Sequence, residues 1–233
     1  MAKQALTVDQ KRLETDIWII ALVTLGVFAV YSITGTQLMD FVKNHEIAVM
    51  PRLLLNAVVQ FGVAGLGISL VCIMRKERFS QFGLKTKNIG KSIIGTVLCF
   101  VPNIGYVLAS GQYKGYRPFS ILITKDVLSA GVPISIIGMA IIVVVWGFFE
   151  GFNYVVICDK INKRYPSVNQ WIDYGAITCA IVCILFHTIS ISFWGIIEII
   201  TTFAAIYGML IVKKKTGNAW GCIFAFLFIW NAI

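Results

Sequence analysis

Charge is what this sequence has least of: only 13% of its 233 residues are Asp, Glu, Lys or Arg. A soluble domain carries about a quarter, so an ordinary soluble globular domain is excluded. Proline is also scarce, with five in the chain, and no low-complexity or Pro-rich linker separates the apolar stretches. No internal repeat is visible. There is no glycine-rich phosphate loop closing on Lys-Ser/Thr, no serine nucleophile elbow, no His-Glu-x-x-His helix and no Cys-x-x-Cys pair, so the chemistries those motifs perform have no foothold here. A cleavable leader is not read either. The first sixteen residues, MAKQALTVDQKRLETD, are polar and mixed in charge, and the apolar run after them lacks a small-residue cleavage site.

What is present is hydrocarbon. The chain is 58% hydrophobic with a mean hydropathy of +0.82, the composition of a protein that crosses a membrane several times. The net charge is +9 and the pI about 9.3. The basic residues fall between apolar runs, so they are read as orientation signals facing anionic headgroups. Membrane lipids are therefore the expected partner, and nucleic acid is not. The six cysteines (Cys72, Cys99, Cys158, Cys179, Cys183 and Cys222) lie in or beside apolar runs and lack the spacing of a disulfide framework. They are read as reduced packing residues.

A spanning helix needs about 20 mostly apolar residues. Seven runs qualify: Ile17 to Ser32, Leu53 to Met74, Ser92 to Ala109 broken by Pro102, Val132 to Ile157, Ile172 to Ser192, Trp194 to Val212 and Asn218 to Ile233. The expected fold is an all-α polytopic bundle of about seven spans. Residues 1–74 hold an N-terminal tail and two spans, and residues 75–233 a core of five. Fifteen Lys and Arg fall in the N-terminal segment, Arg75–Lys91, Asp159–Trp171 and Lys213–Lys215, against five in the intervening loops. The positive-inside rule then puts the N-terminus in the cytoplasm of a plasma-membrane protein. Gly111 to Ala130 is too polar to span and reads as an external loop or amphipathic helix. RKERFSQFGLKTKNIGK, from Arg75 to Lys91, reads as either an interfacial segment or a plain basic loop.

An acid at the bilayer centre costs roughly 2.5–3.5 kcal/mol, so ionisable residues within the runs are candidates for function. They are Glu150, His187 and Glu198, with Asp173 at the edge of its run and read as interfacial. Glu150, Asn153 and Tyr154 share a helical face at i, i+3 and i+4, with Trp146 one turn earlier. A glutamate in that setting fits a general base acting on water. The alternative is a protonated acid bonded to a neighbouring helix. Cys179, Cys183 and His187 form a stripe that could hold a soft metal, but ligands spread over two turns make poor tetrahedral geometry, and no metal or other cofactor is read. Glu198 with Thr201 and Thr202 reads as helix packing, as do Asn56 and Gln60. Asn231 closes the last run as a wall of a polar cavity or a snorkelling amide.

Over about residues 75 to 233 the order of these pieces resembles the CPBP family, the CAAX-protease and bacteriocin-processing intramembrane proteases. FEGFNY (Phe149 to Tyr154), continuing VVICDKINKRYP, is similar to the family's Glu-Glu-x-x-x-Arg motif. CILFH, ending at His187 and 37 positions after Glu150, resembles Phe-x-x-x-His. TGNAWGCIFAFLFIWN, ending at Asn231, resembles the last conserved helix, and FSQFGLKTKNIGKS the connector before a span. One acid replaces two: either Phe149 stands at the first Glu and Tyr154 at the Arg, or Gly151 stands at the second Glu and Val155 at the Arg. Cys183 stands at the family's Phe, and Phe226 or Leu227 at a further His.

The resemblance implies a divergent glutamate peptidase homologue processing a membrane-associated peptide or protein, in peptide maturation or self-immunity. Glu150, His187 and Asn231 are its catalytic candidates, and Asn153, Tyr154 and Trp146 its substrate-binding ones. The loss of a paired acid and a second His implies with equal force a catalytically inactive scaffold that binds a peptide, lipid or partner membrane protein. A transporter subunit using the same polar residues is a further alternative, weakened because no paired broken helices appear.

Overall fold

In hydrocarbon a backbone N–H or C=O must find its partner within its own segment, which makes helix the outcome for isolated apolar runs. In the computed structural model, which describes residues 6–169, 172–186 and 190–232, regular structure among the described residues is all helical. Among these residues five helices are long and apolar enough to cross a membrane: α1 (Val8–Lys43), α2 (Val49–Arg75), α3 (Ile89–Ala109), α5 (Ile134–Arg164) and α7 (Phe193–Thr216). Between α3 and α5 lies the short α4 (Thr124–Ser129). The remaining helices, α6 (Tyr174–Leu185) and α8 (Trp220–Trp230), are apolar but short.

The boundaries differ from the hydropathy reading for identifiable reasons. A capping box, in which Thr7 accepts from the Gln10 N–H and Gln10 answers back, starts α1 well before its apolar run. Pro102 does not break α3, which runs through it. The apolar run of α5 ends near Ile157, yet its helix continues to Arg164 on charged residues. The 12 residues of α6 reach only about 18 Å, less than the roughly 30 Å hydrocarbon core. The expected fifth and seventh spans are therefore not full-length helices among the described residues.

Ion pairs gather the helix ends at two poles. At the first, Lys160 of α5 is almost fully buried and bonds Asp16 of α1 at 2.9 Å and Glu77 just beyond α2 at 2.6 Å. Arg75 of α2 bonds Asp16 at 2.7 Å. At the same pole Lys213 of α7 meets Asp159 of α5 at 2.6 Å, and Lys214 meets Asp173 at 2.8 Å. At the second pole Arg52 of α2 donates to the Val42 carbonyl and to Asp126 of α4, each at 2.7 Å.

The main core packs α3 along α7 and sets α6 and α8 against α5, α7 and α3. Its buried residues include Phe100, Phe152, Met209 and Phe226. A second, smaller core joins Leu53, Ile123, Val127 and Ile142 near the second pole. The segment between α3 and α5 is thus part of the bundle. Its Arg117 N–H bonds the Ala232 carbonyl at 2.7 Å, and Phe119 meets Phe228 edge-on, so it folds back onto the end of α8. Leu22, Leu25, Val30 and Ile33 of α1, with Ile94, Leu98 and Val101 of α3, stay exposed as an outer apolar surface.

Candidate functional site

Among the described residues three helices carry a π segment, a widened turn with i to i+5 bonding: Gly62–Leu66 in α2, Val143–Phe149 in α5 and Phe226–Trp230 in α8. They are neighbours, because those of α2 and α8 both pack on that of α5. Such widened turns recur at functional sites. Glu150 directly follows the segment in α5, and Asn231 directly follows the one in α8.

The two residues meet. The Asn231 Nδ2 donates to Glu150 Oε2 at 3.3 Å and shares itself with the Phe226 carbonyl at 3.4 Å. Glycine permits the approach. A Cβ at Gly151 would lie 2.8 Å from the Cys222 carbonyl oxygen and 2.9 Å from Ile223 Cα, and one at Gly147 would collide with the Leu227 side chain. Gly147 and Gly151 stand at i and i+4, the small-xxx-small spacing that lets two apolar helices close on each other. Position 151 therefore has no room for a larger side chain: a glutamate there would force α8 off α5.

The other candidates divide. The Tyr154 ring stacks on Phe226, with centroids 5.4 Å apart and planes at 18°. The Cys179 thiol reaches the Tyr154 carbonyl at 3.5 Å and so ties α6 to α5, and Cys183 is buried in the same core. Among the described residues no group of three or more His, Cys, Asp or Glu is arranged to hold a metal ion. Asn153 is partly buried one turn beyond Glu150. Trp146, expected one turn before it, packs on the second core. His187 lies outside the described residues.

Beside this pair is a cavity of about 230 Å³ whose polar wall includes Asn103, Tyr106, Gln112, Glu198, Thr202 and Asn231. Ile184 and Ser190 also line it; Glu150 does not. Gln112 Nε2 donates to Tyr106 Oη at 2.6 Å, and Tyr106 donates to Glu198 Oε2 at 2.9 Å. Asn103 reaches Thr201 and Thr202 of α7 at 3.4 and 3.5 Å. Glu198, read from sequence as a packing residue, is therefore an acid set in a cavity wall. Asn103, Tyr106 and Gln112 were not singled out from sequence. A signal existed: they follow Pro102 at the end of an apolar run, with Asn103 and Tyr106 at i and i+3.

Asp173 is likewise more than interfacial. It is buried and caps α6 through the Ala176 N–H at 2.8 Å, while accepting from Asn162 at 2.7 Å and from Lys214. Burial alone would raise its carboxyl, but the Lys214 ammonium and these N–H donors outweigh it and hold the carboxyl below the usual aspartate value. Comparison of the chain with protein-family models, with curated proteins and with solved structures gives no match. The functional reading accordingly rests on the sequence pattern and on this geometry.

Proposed function

We propose that the chain is a multi-pass plasma-membrane protein, a divergent CPBP-like homologue that hydrolyses a peptide bond in a membrane-associated peptide or protein. Five helices cross, α6 and α8 complete the expected seven as shorter members, and the N-terminus faces the cytoplasm. The charge bias of the loops supports that orientation. The observation that carries the functional reading is the Asn231–Glu150 hydrogen bond, which joins the acid of one family-like motif to the amide that ends another.

In this reading Glu150 takes a proton from water as the water oxygen attacks the scissile carbonyl carbon. The Asn231 or Asn153 amide hydrogen-bonds the developing oxyanion, and His187 assists. Collapse of the tetrahedral intermediate breaks the C–N bond, and the amine leaves with the proton that Glu150 accepted.

A second reading has its own support. The cavity wall holds Asn231 and Glu198 but not Glu150, which suits a non-catalytic member that binds a peptide, lipid or partner protein there. Purified protein incubated with a library of membrane-anchored peptides separates the two. Cleavage by the parent and none by Glu150→Gln supports the peptidase. Peptide retention without cleavage by either, weakened by Glu198→Gln, supports the binding protein.

A further inference from the structure

At the first pole, remote from Glu150, a pocket of about 310 Å³ opens between the turn at Phe79–Phe82 and the last turns of α5 and α7. Four lysines line it: Lys85, Lys163, Lys213 and Lys214. Two carboxylates oppose them. Asp159, in the lining, bonds Lys213 at 2.6 Å and Lys163 at 3.2 Å. Asp173, beside it, holds Lys214 at 2.8 Å. The balance is two positive charges. Lys85 has no side-chain partner among the described residues, and Lys163 is 59% exposed.

Helix-end lysines ordinarily complement the C-terminal dipoles of their helices, and a positive-inside loop needs no pocket. Here four come from three separate chain segments and face a single concavity. Phe82 and Leu210, both buried, form the floor of the same space, with the Lys163 Nζ 5.7 Å from the Phe82 ring centroid. The pocket sits where α5 and α7 pass from apolar residues into Lys163, Arg164 and Lys213–Lys215, the level of the headgroups for a helix crossing a bilayer.

We propose that this pocket binds the phosphate of an anionic phospholipid headgroup, with Lys85 and Lys163 supplying the ammonium groups least committed within the protein and Lys213 and Lys214 shared with Asp159 and Asp173. The ammonium groups act as point charges on the phosphate oxygens. The site is independent of the reaction proposed for Glu150.

The test is thermal unfolding of the full chain in an uncharged detergent, titrated separately with dioctanoyl phosphatidylglycerol, dioctanoyl phosphatidylcholine and inorganic phosphate. Phosphatidylglycerol should raise the unfolding midpoint saturably, and phosphatidylcholine should not. The Lys85→Ala/Lys163→Ala variant should bind phosphatidylglycerol about thirtyfold more weakly, from the contribution of two lysines at a membrane surface. Lys125→Ala, at the second pole, should bind as the parent does. Lys85→Gln alone gives a smaller loss in the same direction and serves where the double variant does not fold. Equal shifts with the two lipids, or an unchanged affinity in the Lys85 variants, would overturn the proposal. A full shift with inorganic phosphate alone overturns the lipid as ligand and assigns the pocket to free phosphate.

Discussion

The Asn231 amide lies 3.3 Å from the Glu150 carboxylate, and each residue is the first beyond a π segment of its helix. The pair belongs to two helices that touch because Gly147 and Gly151 leave room for the backbone of α8. Its consequences for activity and for stability can be measured separately.

For activity, Glu150→Gln keeps an oxygen that accepts from Asn231 but removes the base. Peptide cleavage should fall by a factor of about 10²–10⁴, the usual contribution of a general base, while the unfolding midpoint moves by only a few degrees. Loss of activity accompanied by loss of folding would show instead that the carboxylate acts structurally.

For stability, Gly151→Ala places a methyl against the Cys222 carbonyl. Overpacking of this kind costs about 1–3 kcal/mol, and Gly151→Glu should cost more. Thermal or denaturant unfolding in detergent checks both. An unchanged midpoint for Gly151→Glu would mean that α8 does not close on α5 as described.

The Lys160 ammonium is 1% exposed and is held by Asp16, also 1% exposed, and by Glu77. Lys160→Met leaves Asp16 with Arg75 alone. Breaking a buried pair by removing one partner costs about 3–5 kcal/mol, and the remaining Arg75 places the expected loss near the lower figure. A double-mutant cycle with Asp16→Asn should show strong coupling. Additive effects would rule out a shared network.

The Asp173 carboxyl titrates below its ordinary value, because Lys214, Ala176 and Asn162 together outweigh its burial. A group depressed on folding stabilises the protein above its unfolded value of about 3.9, and that contribution disappears as pH falls through the folded value. Asp173→Asn should therefore unfold at a lower temperature than the parent at pH 7. The two midpoints should converge as pH falls below about 4. Parallel curves across that range would show that the carboxylate charge is not what stabilises α6.

Hydropathy located the long helices because each apolar run must satisfy its own backbone, whatever its neighbours. It placed the ends poorly, since caps and charged turns carry a helix beyond its apolar part, as at Thr7 and Arg164. It does not reveal the π segments, because one residue more per turn leaves the composition of Val143–Phe149 unchanged. Glu150 and Asn231 stood out as polar residues in apolar surroundings, but their contact depends on a helix crossing that no local pattern encodes. Asp173 and Glu198 looked ordinary for the same reason. Their partners Lys214 and Tyr106 are distant in sequence, 41 and 92 positions away.

The widened turn of α5 also means that the helix is one residue out of phase with itself. Its outer half is indexed to Leu53 and Val127, its inner half to α8, and the slack at Val143–Phe149 reconciles the two. A single-codon deletion there would restore ordinary winding, and the two halves could no longer both stay seated: if the half packed on Leu53 and Val127 kept its neighbours, Glu150 would swing relative to Asn231 by about 100°, the angle one residue subtends in a 3.6-residue turn. Loss or retention of a lone codon can in this way re-aim the acid without altering it.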